Sequence, residues 1–455
     1  MNLKKNDIIK LKISSMTAQG SGVGRTEDGI VVFVPMSAVG DELEVRLLKL
    51  KKTYAYGKLE SIITPSPSRI EPDCDAFSRC GGCVYRHIDY NSELEIKYNR
   101  VKDAAERIGG FEGLRINPTV PNDRVDRYRN KAQLPACMTE SGVDFGFYAS
   151  RSHRVIPCSD CLLQPESFNR IARIVAEFMN ATNQTVYDER TGRGKLRHLY
   201  IRYAEMTDEL MVCLVVNGNG LKREDMLADA LKKEFGNLKS LIVNSNKENT
   251  NVILGDKNRV VFGSDYITDE LCGKKFKLSP LSFYQVNRGQ AEKLYKLAAS
   301  YADLKGGEVL LDLYCGTGTI GLTMADRCKE LIGVEIIADA VRDAEENARL
   351  NNVGNARFIC SDASSAAEKL RQEGISPDVV IIDPPRKGCD SALIETIVSM
   401  KPERVVYVSC DPETLARDLK QFAENDYSVE ELTPVDLFSR TPHVETVALM
   451  SKIKE

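Results

Sequence analysis

Cys410 ends an apolar run, Val405-Val406-Tyr407-Val408-Ser409-Cys410, and Asp411-Pro412 follows at once. The run reads as a buried strand that delivers a thiol to its carboxyl end, where open α/β sheets place their chemistry. Upstream lies Asp312-Leu313-Tyr314-Cys315-Gly316-Thr317-Gly318, a strand end followed by a glycine turn. Gly316 and Gly318 let the backbone approach a ligand closely. Glu335 closes the next expected strand, a position from which a carboxylate takes both hydroxyls of a ribose. Asp362 closes the third and is expected to face an adenine edge. Asp383-Pro384-Pro385 forms a turn that two prolines stiffen. A nucleophile opposite a nucleotide-like cofactor implies covalent group transfer.

The elements that must hold these residues follow from the pattern. Beyond about residue 280, strands and helices alternate: strands at 309–313, 330–335, 357–360, 378–382 and 404–409, and helices from 320 and over 338–351. That order implies an α/β, Rossmann-like, doubly wound parallel sheet. Segments 427–432 and 444–450 read as an antiparallel pair closing it. Residues 1–62 give short alternating strands punctuated by glycine, the pattern of a small OB-like β-barrel. A Pro/Ser linker follows, then a cysteine-rich stretch over 71–90 and a mixed α+β region. The expected domains are 1–62, a central 63–275 and a carboxyl-terminal 276–455.

Hydrophobic residues at 42% and charged residues at 28% are ordinary for a globular chain. The net charge of −4 does not mark the whole chain as a polyanion binder, but residues 1–70 are basic and the remainder acidic. No apolar leader opens the sequence and no membrane-length apolar run occurs, so a cytoplasmic protein is expected, with no membrane association and no protein partner inferred. In that setting 13 cysteines suggest a metal or cluster site plus reactive thiols more than disulfides. Cys74, Cys80 and Cys83 form a tight group that needs a fourth ligand, and Cys158-x2-Cys161 offers it. Four thiolates suit zinc or an iron–sulfur cluster, and the spacing alone does not separate them.

Three motifs make the resemblance specific. Ser409-Cys410-Asp411-Pro412, Ser282-Phe283-Tyr284-Gln285-Val286-Asn287 and His443-Val444-Glu445-Thr446-Val447 are similar to motifs of the RNA (uracil-5-)-methyltransferases. The glycine turn, Glu335 and Asp383 resemble the S-adenosylmethionine site of class I methyltransferases. The resemblance implies Cys410 as nucleophile and Glu445 as base. It also implies that Gln285, Tyr314, Glu335 and Asp383 hold S-adenosylmethionine, and that Phe283 and Gln285 border a flipped uracil. Carbon 5 of uracil is a poor nucleophile; a thiolate adding to carbon 6 makes it an enolate that accepts a methyl group, and a base then removes the carbon-5 proton. The strand-end position is expected to favour the thiolate of Cys410.

The same resemblance points to a [4Fe-4S] cluster on Cys74, Cys80, Cys83 and Cys161, serving the fold or the RNA. Residues 1–62 resemble the TRAM domain, an RNA-binding barrel, through Gly20-Ser21-Gly22-Val23-Gly24, Val32-Phe33-Val34-Pro35 and Lys49, Lys51 and Lys52. Arg124, Arg127, Arg129 and Lys131 form a second basic group, with Arg129 and Lys131 expected near RNA. The implied substrate is a single-stranded loop or bulge of 23S ribosomal RNA, because flipping the base costs least there. The barrel is expected to separate this class from the transfer-RNA branch. An RNA cytosine-5-methyltransferase is disfavoured, since Cys389 lies outside that family's Pro-Cys pattern. The rival from another class is a non-catalytic RNA-binding iron–sulfur protein, against which the intact set Gln285, Glu335, Asp383, Cys410 and Glu445 speaks.

Overall fold

The computed structural model describes residues 3–454. Alternating residues of β1 (Ile8–Met16), β2 (Gly22–Arg25), β3 (Val31–Val34), β4 (Glu42–Leu50) and β5 (Tyr54–Thr64) turn inward and close a barrel in the order β1-β2-β3-β5-β4. Leu11, Ile13, Val32, Val34, Leu43, Val45, Leu47 and Ala55 fill it. Asp41 anchors the barrel to the following segment by accepting two hydrogen bonds from Arg69, each of 2.8 Å.

Helix α1 (Tyr90–Ala104) and a short strand β6 (Arg115–Ile116) precede a central sheet. Its strands are β7 (Lys131–Thr139), β8 (Gly142–Tyr148), β9 (Val155–Pro157), β10 (Leu196–Ala204), β11 (Glu209–Val216), β12 (Leu238–Ser245) and β13 (Lys257–Gly263), ordered β13-β12-β11-β10-β7-β8-β9. Helices Glu166–Ala181 and Glu224–Glu234 bury their apolar stripes in a core with one face of this sheet. The hairpin β14 (Ile267–Leu271) and β15 (Lys274–Leu278) covers the other face and leads to helix Arg288–Ala302.

The carboxyl-terminal sheet comprises β16 (Val309–Leu313), β17 (Glu330–Glu335), β18 (Ala356–Cys360), β19 (Val379–Ile382), β20 (Arg404–Ser409), β21 (Tyr427–Val435) and β22 (Glu445–Lys452). The order is β18-β17-β16-β19-β20-β22-β21-β6, parallel through β20 and antiparallel at β22 and β21. The order reverses between β17 and β19 on either side of β16, so their carboxyl ends open a crevice at the switch point. This is the expected doubly wound α/β domain, and the chain carries an amino-terminal barrel. The last strand, β6, comes from before the central sheet and pairs parallel with β21. Among the described residues no helix is long and apolar enough to cross a membrane.

Candidate active site

One cavity of about 2350 Å³ opens at the switch point. Cys410, Glu445, Asp383, Gln285, Phe283, Tyr314, Gly316, Glu335, Asp362, Arg129 and Lys131 all line it. Gly318 does not. It sits beneath, at φ +80°, as the turn that starts helix Thr319–Met324.

The cofactor end is set by backbone. Tyr314 holds φ +63° and Gly316 φ +55°, and a side chain added at Gly316 would meet nothing within 4 Å, leaving room for a ligand. Glu335 is already fixed: its two oxygens accept from the N–H groups of Gly316 at 3.1 Å and Ile337 at 2.9 Å. Asp312 accepts from Gly321 N–H at 2.9 Å, while its other oxygen is buried without a partner. Burial, with Asp383 and Glu335 nearby, pushes the Asp312 carboxyl up to about 7. Asp362 caps helix Ala363–Gln372 by accepting from Ser365 N–H at 2.9 Å, which holds its carboxyl below the usual range. These features fit a nucleoside-bearing cofactor.

The reaction end is different. Ser409 Oγ accepts from Asp411 N–H at 3.1 Å, and Asp411 caps helix Pro412–Ala423, so Cys410 sits just before a helix amino terminus. That dipole and Arg386 favour a thiolate. They do not prevail: burial, then Glu445 and Asp383, push the Cys410 thiol up to about 11. The expectation of an enriched thiolate is therefore corrected; burial first, and then the two carboxyls in its pocket, keep this cysteine a thiol in the protein alone. Glu445 begins β22 and is 5% exposed; burial and Asp383 raise its carboxyl to about 8, with Arg386 opposing. Burial alone raises Asp383 to about 7.

The motif loop 282–287 is held from outside. The buried guanidinium of Arg202 donates to Ser279 O at 2.9 Å and Ser282 O at 2.8 Å. Asn130 Nδ2 donates to Gln285 O at 2.9 Å, and Tyr284 OH to Asp269 Oδ2 at 3.1 Å. Phe283 is left 60% exposed on the cavity wall. Lys131, between Arg202 and Arg129, is pulled down to about 8 by burial first and then by those charges.

Sequence reasoning missed the support of the loop that carries Glu445. Lys97 Nζ, fully buried, donates to Glu93 at 2.8 Å, Asp436 at 2.5 Å and Phe438 O at 3.2 Å. Tyr90 OH and Ser439 Oγ each donate to the second Asp436 oxygen at 2.6 Å. Arg100 donates to Pro442 O at 3.0 Å, and Arg386 to His443 Nδ1 at 3.4 Å. Burial and the surrounding cations lower His443 to about 4, which keeps that nitrogen an acceptor. In sequence, Glu93 and Lys97 look like an exposed helical pair at i and i+4.

Cys74, Cys80, Cys83, Cys158 and Cys161 meet on another wall of the same cavity. The Cys158 thiol hydrogen-bonds Cys161, lowering Cys161 to about 7 and raising Cys158. The donor set is all soft sulfur, which suits zinc or an iron–sulfur group. Among the described residues no three Cys, His, Asp or Glu side chains already enclose a point that would hold a metal ion. The structure thus gathers the four expected ligands and adds Cys158, without a formed ligand cage.

Residues 89–453 match the tRNA (uracil-5-)-methyltransferase family, and residues 3–59 match the TRAM domain. The chain belongs to the tRNA (uracil-5-)-methyltransferase family. It is therefore an S-adenosylmethionine-dependent RNA methyltransferase with an RNA-binding barrel. A Clostridium tetani protein named an RNA methyltransferase is 43% identical over 99% of this chain and 97% of its own. One from Halalkalibacterium halodurans is 42% identical over 98% of each. Among solved structures, the Pyrococcus abyssi tRNA (uracil-54, C5)-methyltransferase in complex with S-adenosyl-L-homocysteine aligns with TM-score 0.77 and 28% identity, covering 97% of this chain and 99% of its own. That coverage leaves too few residues unmatched to omit the barrel. The barrel therefore does not separate ribosomal from transfer-RNA members of the methyltransferase family, contrary to the sequence-based expectation.

Proposed function

We propose that this chain methylates carbon 5 of a flipped uracil in RNA through a transient bond from Cys410 Sγ to carbon 6. The observation that carries the reading is the convergence of Cys410, Glu445 and Asp383 in one cleft beside the glycine turn. S-adenosylmethionine, when bound by Tyr314, Glu335, Asp383 and Gln285, supplies an electrophilic methyl group. Gly316, Gly318 and Asp362 shape that half of the site. Phe283 and Gln285 frame the base, while Arg129 and Lys131 receive phosphate. Cys410 must give up its proton to solvent before it adds to carbon 6, and Arg386 is the cation beside it that favours the anion. Glu445 acts in its ionised form, which grows as pH rises toward about 8, and takes the carbon-5 proton, after which Cys410 leaves and 5-methyluracil is released.

The proposed substrate is a single-stranded loop or bulge of 23S ribosomal RNA, in the cytoplasm. Its support is the similarity of the three motifs; the barrel supports RNA binding but favours neither RNA over the other. A second reading, transfer RNA, is favoured by the P. abyssi neighbour. The proposed domains are 1–62, 63–275 and 276–455. Cys74, Cys80, Cys83 and Cys161 are the proposed ligands of a [4Fe-4S] cluster that shapes the cavity wall, and no chemical step passes through it. Iron and acid-labile sulfide in anaerobically purified protein would support the cluster, and zinc in their place would displace it. Labelled S-adenosylmethionine with 23S and transfer-RNA transcripts tests the rest: 5-methyluridine is expected in the ribosomal RNA, and label only in transfer RNA overturns the substrate.

A further inference from the structure

β3 and β5 run parallel, with Phe33 opposite Tyr56 and Val31 opposite Tyr54. Alternation sends Val32, Val34 and Ala55 into the barrel core and Phe33, Tyr54 and Tyr56 outward. On the outer face the three rings meet. Centroids lie 5.7 Å apart for Phe33–Tyr56 and Tyr54–Tyr56, and 6.0 Å apart for Phe33–Tyr54. This cluster adds nothing to the barrel's own core, and Tyr56 remains 41% exposed. Phe33 and Tyr56 line the same cavity as Cys410, whereas Tyr54 does not line it and braces Tyr56 edge-on at 89°. Lys49, Lys51 and Lys52, all exposed, precede Tyr54 along the chain.

We propose that Phe33 and Tyr56 form a stacking platform for an unpaired nucleobase of the RNA strand, a base-binding site separate from the uracil pocket at Cys410. The proposal deepens the RNA-methylation reading and rests on it for the identity of the ligand. Aromatic faces accept any base, so the platform grips a single strand without reading its sequence. The neighbouring lysines add a salt-dependent grip on phosphate. Affinity for RNA is then set at the barrel, while the rate of chemistry is set at Cys410.

The chain contains no tryptophan, so Tyr56→Trp installs a single fluorescent reporter on the platform. Titrating the full-length variant with single-stranded oligoadenylate is expected to quench that emission. Adding Phe33→Ala should weaken the titration about 5- to 100-fold. The salt dependence should not change with Phe33→Ala, whereas Lys51→Ala should flatten it. Phe33→Leu keeps apolar bulk without a π face and should weaken binding similarly even if Phe33→Ala disturbs the barrel. Absence of quenching, or unchanged affinity in Phe33→Leu, overturns the platform. The titration needs no methyl transfer. Quenching by oligoadenylate, together with no 5-methyluridine in the labelled 23S and transfer-RNA transcripts, would therefore count against the methylation reading and leave the platform standing.

Discussion

Two acidic clusters stand at the two ends of the segment between β21 and β22. At one end Asp436 meets Glu93, and Lys97 is buried between them with direct contacts to both. At the other end Glu445 faces Asp383, and among the described residues the cation acting on Glu445 is the exposed Arg386. The first cluster's two carboxylates are matched by two cations that came into the interior with them, Lys97 and Arg440. The second cluster is desolvated without one, so its carboxyls hold their protons to about 7 and 8. A buried charge with a committed partner secures a fold, and a buried carboxyl without one stores a proton at the pH where chemistry needs it moved.

The sharpest break of this contrast is Cys410→Ala, which is expected to reduce 5-methyluridine formation to background while RNA binding persists; turnover in that variant would remove the covalent scheme. Glu445→Gln should slow release by about 10²–10⁴-fold and trap a protein–RNA adduct that survives denaturing electrophoresis. Lys97→Met should destabilise the fold by about 3–5 kcal/mol, read by denaturant unfolding, because it removes the cation shared by Glu93 and Asp436 and leaves Arg440, 3.6 Å from Glu93, as the remaining one.

The proton stored at Glu445 has its own signature. Its carboxyl is raised in the folded state, so the folded chain binds more protons than the unfolded one between about 4.5 and 8. That contribution to stability is present below the window and is lost as pH rises through it. Glu445→Gln should therefore gain stability relative to wild type as pH climbs from about 5 to about 8, by a few kcal/mol at most, and gain no more above. The smallest effect is expected where the carboxylate is already satisfied by backbone: Glu335→Gln should raise KM for S-adenosylmethionine about tenfold, as one charge-assisted hydrogen bond to a ribose would, with little change in kcat.

The carboxyl-terminal sheet was legible because its parallel strands are short apolar runs that alternate with helical patterns; the segments read at 309–313, 330–335 and 404–409 are the observed strands β16, β17 and β20. Most of the central sheet was not. The segments 197–203 and 210–216 were readable as β10 and β11, while β7, β8 and β13 mix polar and apolar residues. Asp362 shows the limit at the level of a side chain: its place at a strand end was readable, and its role as a helix cap was not. Lys97 shows it in the core, since nothing in an i, i+4 pair tells the reader that a third residue more than three hundred positions away will complete it.

The parallel pairing of β6 with β21 means that the outermost edge of the carboxyl-terminal sheet is supplied by a segment translated long before it. A nascent chain must keep that strand waiting while the whole central sheet is made. A fragment beginning at residue 276 would emerge with β21 bare along one side, an open template for another copy.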